Sequence, residues 1–231
     1  MSKLKLLRAD LHVHTAYSPD STSSLPAIIA RCLEIGINCL AVTDHNSIAG
    51  ALELKRTAPF YVIVGEEILT TSGEVIGLFL SEYVPHQLSI EETVTRIKAQ
   101  RGLVCIPHPY DRFRRSALRR GALERIVPDI DLIEVFNSRT LLLRDSDRAK
   151  RFASSYGLPA TVGSDAHTLD EIGNAYIELP EFDDASQFIQ ALRQGQVFGR
   201  RTGHITRPLN FMKIISHKLW TQMIKRLSKG H

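Results

Sequence analysis

Short apolar runs that end on histidine or an acidic residue recur along this chain, with stretches of helical spacing between them. The runs are Arg8-Ala-Asp-Leu-His-Val-His14, Leu40-Ala-Val-Thr-Asp-His45, Val62-Ile-Val-Gly-Glu-Glu67, Leu103-Val-Cys-Ile-Pro-His108 and Thr161-Val-Gly-Ser-Asp-Ala-His167. Each has the length and composition of a buried strand handing over to a loop. Residues 25–36 show helical spacing, with Pro26 in the first turn and Gly36 as the stop. The pattern continues as strand 38–43, helix 46–57, strands 61–66 and 74–81, helix 89–101, strand 103–107 and helix 115–126. Strand 131–136, helix 142–156, strand 159–163, strand 174–179 and helix 183–194 follow. Such alternation predicts an α/β fold with a largely parallel sheet. The short Thr70–Gly73 turn predicts a hairpin between strands 61–66 and 74–81, which makes the expected barrel irregular. In a barrel of parallel strands the carboxyl ends converge on one face, so side chains far apart in sequence meet in one cleft.

The 231 residues and 43% hydrophobic content suit one domain with a sizeable core and leave no room for a second large one. A formal charge of +4 and a pI near 9.0 favour anionic partners but fall short of a nucleic-acid coat. Much of the excess lies between Arg112 and Arg120 and from Arg200 onward. Cys32, Cys39 and Cys105 are odd in number and scattered, which excludes a disulfide framework and a Cys-x-x-Cys knuckle; reduced core residues are expected. The segment Met1–Arg8 is too short for a signal peptide, and no apolar run approaches the roughly 18 residues of a membrane span. A soluble cytoplasmic protein is expected. After a domain over residues 1–207, Met212, Ile215, Leu219, Met223 and Leu227 recur at helical spacing among Lys213, Lys218, Lys225, Arg226 and Lys229. Residues 208–231 are therefore read as a basic amphipathic helix that docks on the domain or a second subunit, with a membrane surface or another partner as the alternative.

Five of the nine histidines sit at the strand ends, several beside a carboxylate, a placement that points to a polynuclear metal site. His12 and His14 lie one residue apart, so the period of two along a strand puts both imidazoles on one face. Asp20 follows a short loop and is close enough to add a carboxylate. His45 ends a strand next to Asp44, a natural acceptor for orienting an imidazole. Glu66 and Glu67 point to opposite faces. Glu67 is taken as the ligand, with two oxygens able to bridge cations, and Glu66 as solvent-facing or salt-bridged. Pro107 and Pro109 fix the turn at His108, and the same-face argument applies to Asp165 and His167. His86, His204, His217 and His231 lack this context and are read as surface residues. Imidazole and carboxylate ligation without thiolate fits two or three divalent ions of Zn, Mn or Fe. Such a site makes a hydroxide near neutral pH and offsets charge in an in-line displacement at phosphorus.

Together these segments resemble the polymerase and histidinol phosphatase (PHP) superfamily over about residues 8 to 180. The first motif is similar to Asp10-Leu-His-Val-His14, the second to Thr43-Asp-His45, the third to Pro107-His108-Pro109 and the fourth to Gly163-Ser-Asp-Ala-His167. The resemblance implies an irregular (β/α)7 TIM-like barrel, metal-dependent phosphoester hydrolysis, and ligand roles for His12, His14, His45, Glu67, His108, Asp165 and His167. Two departures stand out. Pro19 separates Ser18 from Asp20, and where some trinuclear relatives carry a histidine this chain offers Glu74, Ser81 and Glu82.

Arg112, Arg114, Asn137 and Arg139 follow strands on the ligand-bearing face and are read as a phosphate clamp. Glu134, inside an apolar strand, is read as an acceptor that supports a ligand. Asp165 and His167 are assigned proton handling. The expected substrate is a phosphorylated small molecule or nucleotide. The alternatives are a DNA or RNA exonuclease of the same fold and a non-catalytic metal-binding module.

Overall fold

The computed structural model describes residues 6–202, and the expected helix at 208–231 lies outside them. In chain order the elements are β1 (Leu6–Val13), α1 (Leu25–Ile35), β2 (Cys39–Val42), α2 (Ala49–Thr57), β3 (Tyr61–Thr70), β4 (Gly73–Leu78), α3 (Ile90–Ala99) and β5 (Leu103–Ile106). Next come α4 (Arg120–Ile126), β6 (Leu132–Asn137), α5 (Leu143–Tyr156), β7 (Ala160–Gly163), β8 (Ala175–Pro180), α6 (Ala185–Leu192) and β9 (Gln196–Gly199). The first helix opens at Pro26 and closes on Gly36 with φ 75°, a left-handed cap that glycine adopts without a Cβ clash.

Strands β1, β2 and β3 pair in parallel, as do β5, β6 and β7. Between the two groups β4 runs antiparallel to both β3 and β5, so the hairpin expected at Thr70–Gly73 is present. The first half of β3 pairs with β2 and the second half with β4, which carries β3 past its expected end to Thr70. After β7 the chain returns to β1. Asp165 N donates to His12 O (2.8 Å), His14 N donates to Ala166 O (2.9 Å), and Val13 bridges Ala166. Those bonds nearly close the seven strands into an irregular, TIM-like barrel. Outside the ring, β8 adds antiparallel to β1 and β9 to β8; β9 carried no clear alternation and was not expected.

Residues 115–119 do not coil, although a helix was expected from 115. Glu74 N donates to Ser116 O and Arg119 N donates to Ser72 O, so the hairpin turn captures this segment as a strap that turns at residues 114–117. Gly73 permits the contact: with φ 127°, a Cβ there would lie 2.5 Å from Leu118 Cα.

Most strand residues are buried on both faces, as they must be with helices outside and side chains filling the barrel. Leu40, Ile63, Ile76 and Ile106 are fully buried, and truncating any of them to alanine would cost about 2–5 kcal/mol. The three cysteines are buried and free, as expected. Among the described residues no helix is long and apolar enough to cross a membrane.

Candidate metal centre

The carboxyl ends of β1, β2, β3, β5 and β7 deliver His12, His14, His45, Glu67, His108, Asp165 and His167 to one end of the barrel, and the loop after β1 adds Asp20. Gly163 allows the closure there, because a Cβ at this position would meet His12 Cβ at 2.2 Å.

Glu67 lies at the centre with no exposed surface. Its Oε1 is 3.0 Å from His108 Nε2 and 3.5 Å from His12 Nε2, while Oε2 is 3.1 Å from His45 Nδ1 and 3.4 Å from His14 Nε2. One carboxylate thus spans two pairs of imidazoles. Asp165 Oδ1 faces His14 Nε2 at 3.3 Å and His12 Nε2 at 3.7 Å. At the mouth, Asp20 Oδ2 reaches His167 Nε2 (3.1 Å) and His45 Nε2 (3.4 Å).

Supporting hydrogen bonds decide which nitrogen faces inward. Glu134 Oε1 lies 3.1 Å from His12 Nδ1, and a carboxylate only accepts, so the proton sits on Nδ1 and the Nε2 lone pair turns to the centre. Ser18 donates to Asp44 Oδ1 (2.6 Å), so its oxygen accepts from His14 Nδ1 (3.1 Å) and the second lone pair also turns inward. Asp44 therefore orients His14 through Ser18, whose oxygen also accepts from His45 N at 3.0 Å. His12 Nε2 and His14 Nε2 are 3.2 Å apart, so a proton on His12 or a cation shared by both rings must lie between them. Two ligand nitrogens at the edge of a tetrahedron around zinc would be about 3.3 Å apart.

Electrostatics lead to the same requirement. Burial disfavours charge on Glu67 and Asp165, yet His12 and His45 beside the first, and Arg114 and His12 beside the second, hold both carboxyls well below the usual range. Burial likewise opposes charge on His12, but Glu67, Asp165 and Glu134 raise it, whereas burial and the facing His167 and His45 lower His14. Glu67 Oε2, Glu74 Oε2, Asp20 Oδ1 and Asp165 Oδ1 are buried with no hydrogen-bond partner. Buried anions with unsatisfied oxygens need a cation. Among the described residues three donor groups are tight enough to hold an ion: His14, His45 and His167; His12, His14 and Glu67; and His45, Glu67 and Glu74. The residues present fit a polynuclear site. The backbone is bent to build it: Asp165 has φ 54° and His108 φ 31°, both in the sparsely populated left-handed region.

Glu74 and Glu66 are the surprises. Glu74 stands opposite Leu69, two residues along from the Glu67–Ile76 pair, so it shares the inward face and reaches His108 at 3.5 Å and His45 at 3.9 Å. The sequence marks its place but not its role, because the antiparallel strand reverses which end reaches the site. Glu66 is neither solvent-facing nor salt-bridged. It is fully buried on the outer face, where Oε2 accepts from Val84 N at 3.0 Å, and burial pushes its carboxyl up to about 7.

A cleft of about 280 Å³ opens above the centre, lined by Asp20, His45, His167, Arg114, Arg139 and the exposed Phe113. Arg114 bonds Asp165; the Arg139 guanidinium Nη1 donates to Asp165 O at 3.3 Å and to His167 Nδ1, and its backbone N donates to Asn137 Oδ1 at 2.9 Å. Arg112 does not line the cleft; its guanidinium lies 3.4 Å from Asp145 of α5. Asn137 is buried behind the cleft and donates to Glu134 Oε2 (3.0 Å) and Asp165 Oδ2 (3.2 Å), so it positions these carboxylates. Glu134 also accepts from His108 N at 2.6 Å, tying β6 to both β1 and β5. His86 is exposed, as expected.

An α/β barrel with imidazoles and carboxylates gathered at the carboxyl ends of its strands defines a class of metal-binding barrel proteins. The PHP domain model matches residues 10–101, and the PHP-associated model matches residues 144–197. Two uncharacterized proteins of Methanocaldococcus jannaschii are similar: one is 37% identical over 180 residues, 77% of this chain and 72% of the relative, the other 42% identical over 146 residues, 57% and 82%. The fold also matches a two-domain protein of Bacteroides vulgatus with a predicted PHP-like metal-dependent phosphoesterase, at TM-score 0.68 and 16% identity, covering 90% of this chain and 70% of that one. The chain belongs to the PHP domain family.

Proposed function

We propose that the protein hydrolyses the phosphoester bond of a small phosphate ester or nucleotide at a centre of two or three divalent ions, drawn from Zn, Mn and Fe. The observation that carries this reading is the buried Glu67, whose two oxygens each face a pair of imidazoles beneath an arginine-lined cleft. Membership of the PHP family, and the likeness to a structure described as a metal-dependent phosphoesterase, support it.

His12, His14, His45, Glu67, His108, Asp165 and His167 would hold the ions, with Asp20 at the mouth and Glu74 as a further carboxylate. Divalent ions there supply a nucleophile near neutral pH and offset the charge that develops on a phosphoryl group. Glu134, Asn137 and the Asp44–Ser18 pair hold the ligands in place before substrate arrives. Arg139, whose Nε is buried without a partner, and Arg114 face an entering phosphate and orient its oxygens by charge-assisted hydrogen bonds. Proton handling falls to whichever of His167 and Asp165 the ions leave free; His167 lines the cleft beside Asp20, with Asp165 Oδ1 3.5 Å from its Nδ1. The buried, free thiols suit a reducing compartment such as the cytoplasm.

Hydrolysis of a chromogenic phosphate ester by the full chain, with Mn or Zn added, tests the reading. Metal-dependent turnover that His12→Ala and His167→Ala each abolish is expected. Activity that survives both substitutions, or metal retention with no turnover on a panel of phosphate esters, would remove the proposal.

A further inference from the structure

Helix α5 has two faces of different character. Asp145, Ser146, Ala149 and Ala153 are buried against the barrel. Arg148, Arg151, Phe152 and Tyr156 recur at helical spacing on an adjoining face, and this face and α4 line a groove of about 260 Å³. Tyr110 forms its inner wall.

Three rings run through the groove in sequence. Tyr110 meets Phe152 edge to face at 6.1 Å, Phe152 meets Tyr156 at 4.7 Å, and Tyr156, 54% exposed, ends the series as an open ring. The Arg148 guanidinium lies 4.2 Å over the Tyr110 ring. Charge is unbalanced here. Arg120 is bonded to Glu124 at 2.8 Å, which leaves Arg148 and Arg151 with no carboxylate partner among the described residues. Solvated arginines need no aromatic wall; arginines next to an open ring match a ligand that is anionic at one end and planar at the other.

We propose that the α4–α5 groove is a second binding site, separate from the metal centre, for a nucleotide unit. Its phosphate sits on Arg148 and Arg151, and its base stacks on Tyr156. A pocket of this size holds one phosphate and part of one ring, not a longer chain. Tyr110 lies two residues beyond His108, and Asp111 lines the catalytic cleft, so an occupant touches the loop that carries a proposed ligand. A free nucleotide and one unit of an oligonucleotide present the same chemistry.

Photolabelling of the metal-loaded full chain with an 8-azidoadenosine phosphonate, whose C–P bond resists hydrolysis, tests the site, with labelled peptides mapped by mass spectrometry. Labelling within residues 145–156 is expected. It should fall at least about tenfold in the Arg148→Ala, Arg151→Ala double variant and about tenfold in Tyr156→Ala, while an unchanged melting temperature reports an intact fold. Adenosine monophosphate or a short single-stranded oligothymidylate should compete, the tighter of them identifying the source. Ribose 5-phosphate and adenosine should each compete at least about tenfold more weakly than the better of these. Label confined to peptides of the metal centre, label in 145–156 unchanged by the substitutions, or ribose 5-phosphate competing as well as the nucleotide would overturn the proposal.

Discussion

The inner and outer faces of β3 carry adjacent glutamates with opposite fates. Both are fully buried, yet Glu67 on the inner face is held ionised by facing histidines, while burial raises Glu66 on the outer face to about 7. Burial alone therefore says little about what a carboxylate does. The difference lies in what stands opposite: four imidazoles in one case, a single backbone N–H from Val84 in the other.

The sharpest way to break this comparison is to neutralise each glutamate in turn. Glu67→Gln should lower metal-dependent turnover by more than about a hundredfold and reduce the bound metal measured by elemental analysis. Comparable turnover and metal content in Glu67→Gln and the parent would show that the inner face is not the centre. A smaller effect is expected one layer back. Glu134→Gln should weaken metal binding about 10–100-fold, because the amide cannot hold His12 Nδ1 and His108 N together as the carboxylate does, with the fold retained by circular dichroism.

The smallest effect on activity belongs to Glu66→Gln, which should leave turnover within about twofold. Its signature is in stability. A carboxyl whose folded pKa is raised binds its proton more tightly folded than unfolded, so in the metal-free parent the contribution of Glu66 to stability falls as pH rises from about 4.5 to about 7 and then levels off. Glu66→Gln removes that decline, on the order of 2 kcal/mol across the window. Denaturant melts of both proteins at pH 5 and pH 8 check it; equal pH slopes would show that Glu66 ionises normally.

Strand ends and donor residues were legible because their signals are local. The His-x-His spacing follows from a period of two, and the Pro107 and Pro109 flanks mark where β5 stops. Helix α4 was misjudged at its start because the hairpin turn of β3 and β4, far away in sequence, captures residues 116–119 by backbone bonds. Arg112 was grouped with Arg114 since both lie in one basic run, but the loop turns one toward Asp165 and the other toward α5.

What the sequence alone determined is therefore the α/β alternation and the identity of the inward-facing donors, both of them consequences of spacing over a few residues. Only the tertiary structure decided that reversed β4 brings Glu74 into the centre, that Glu134 supports His12 and His108 at once, and that Glu66 is buried under Val84. Those outcomes depend on which strands become neighbours and in which direction they run. Non-local pairing sets both, and no local periodicity records it.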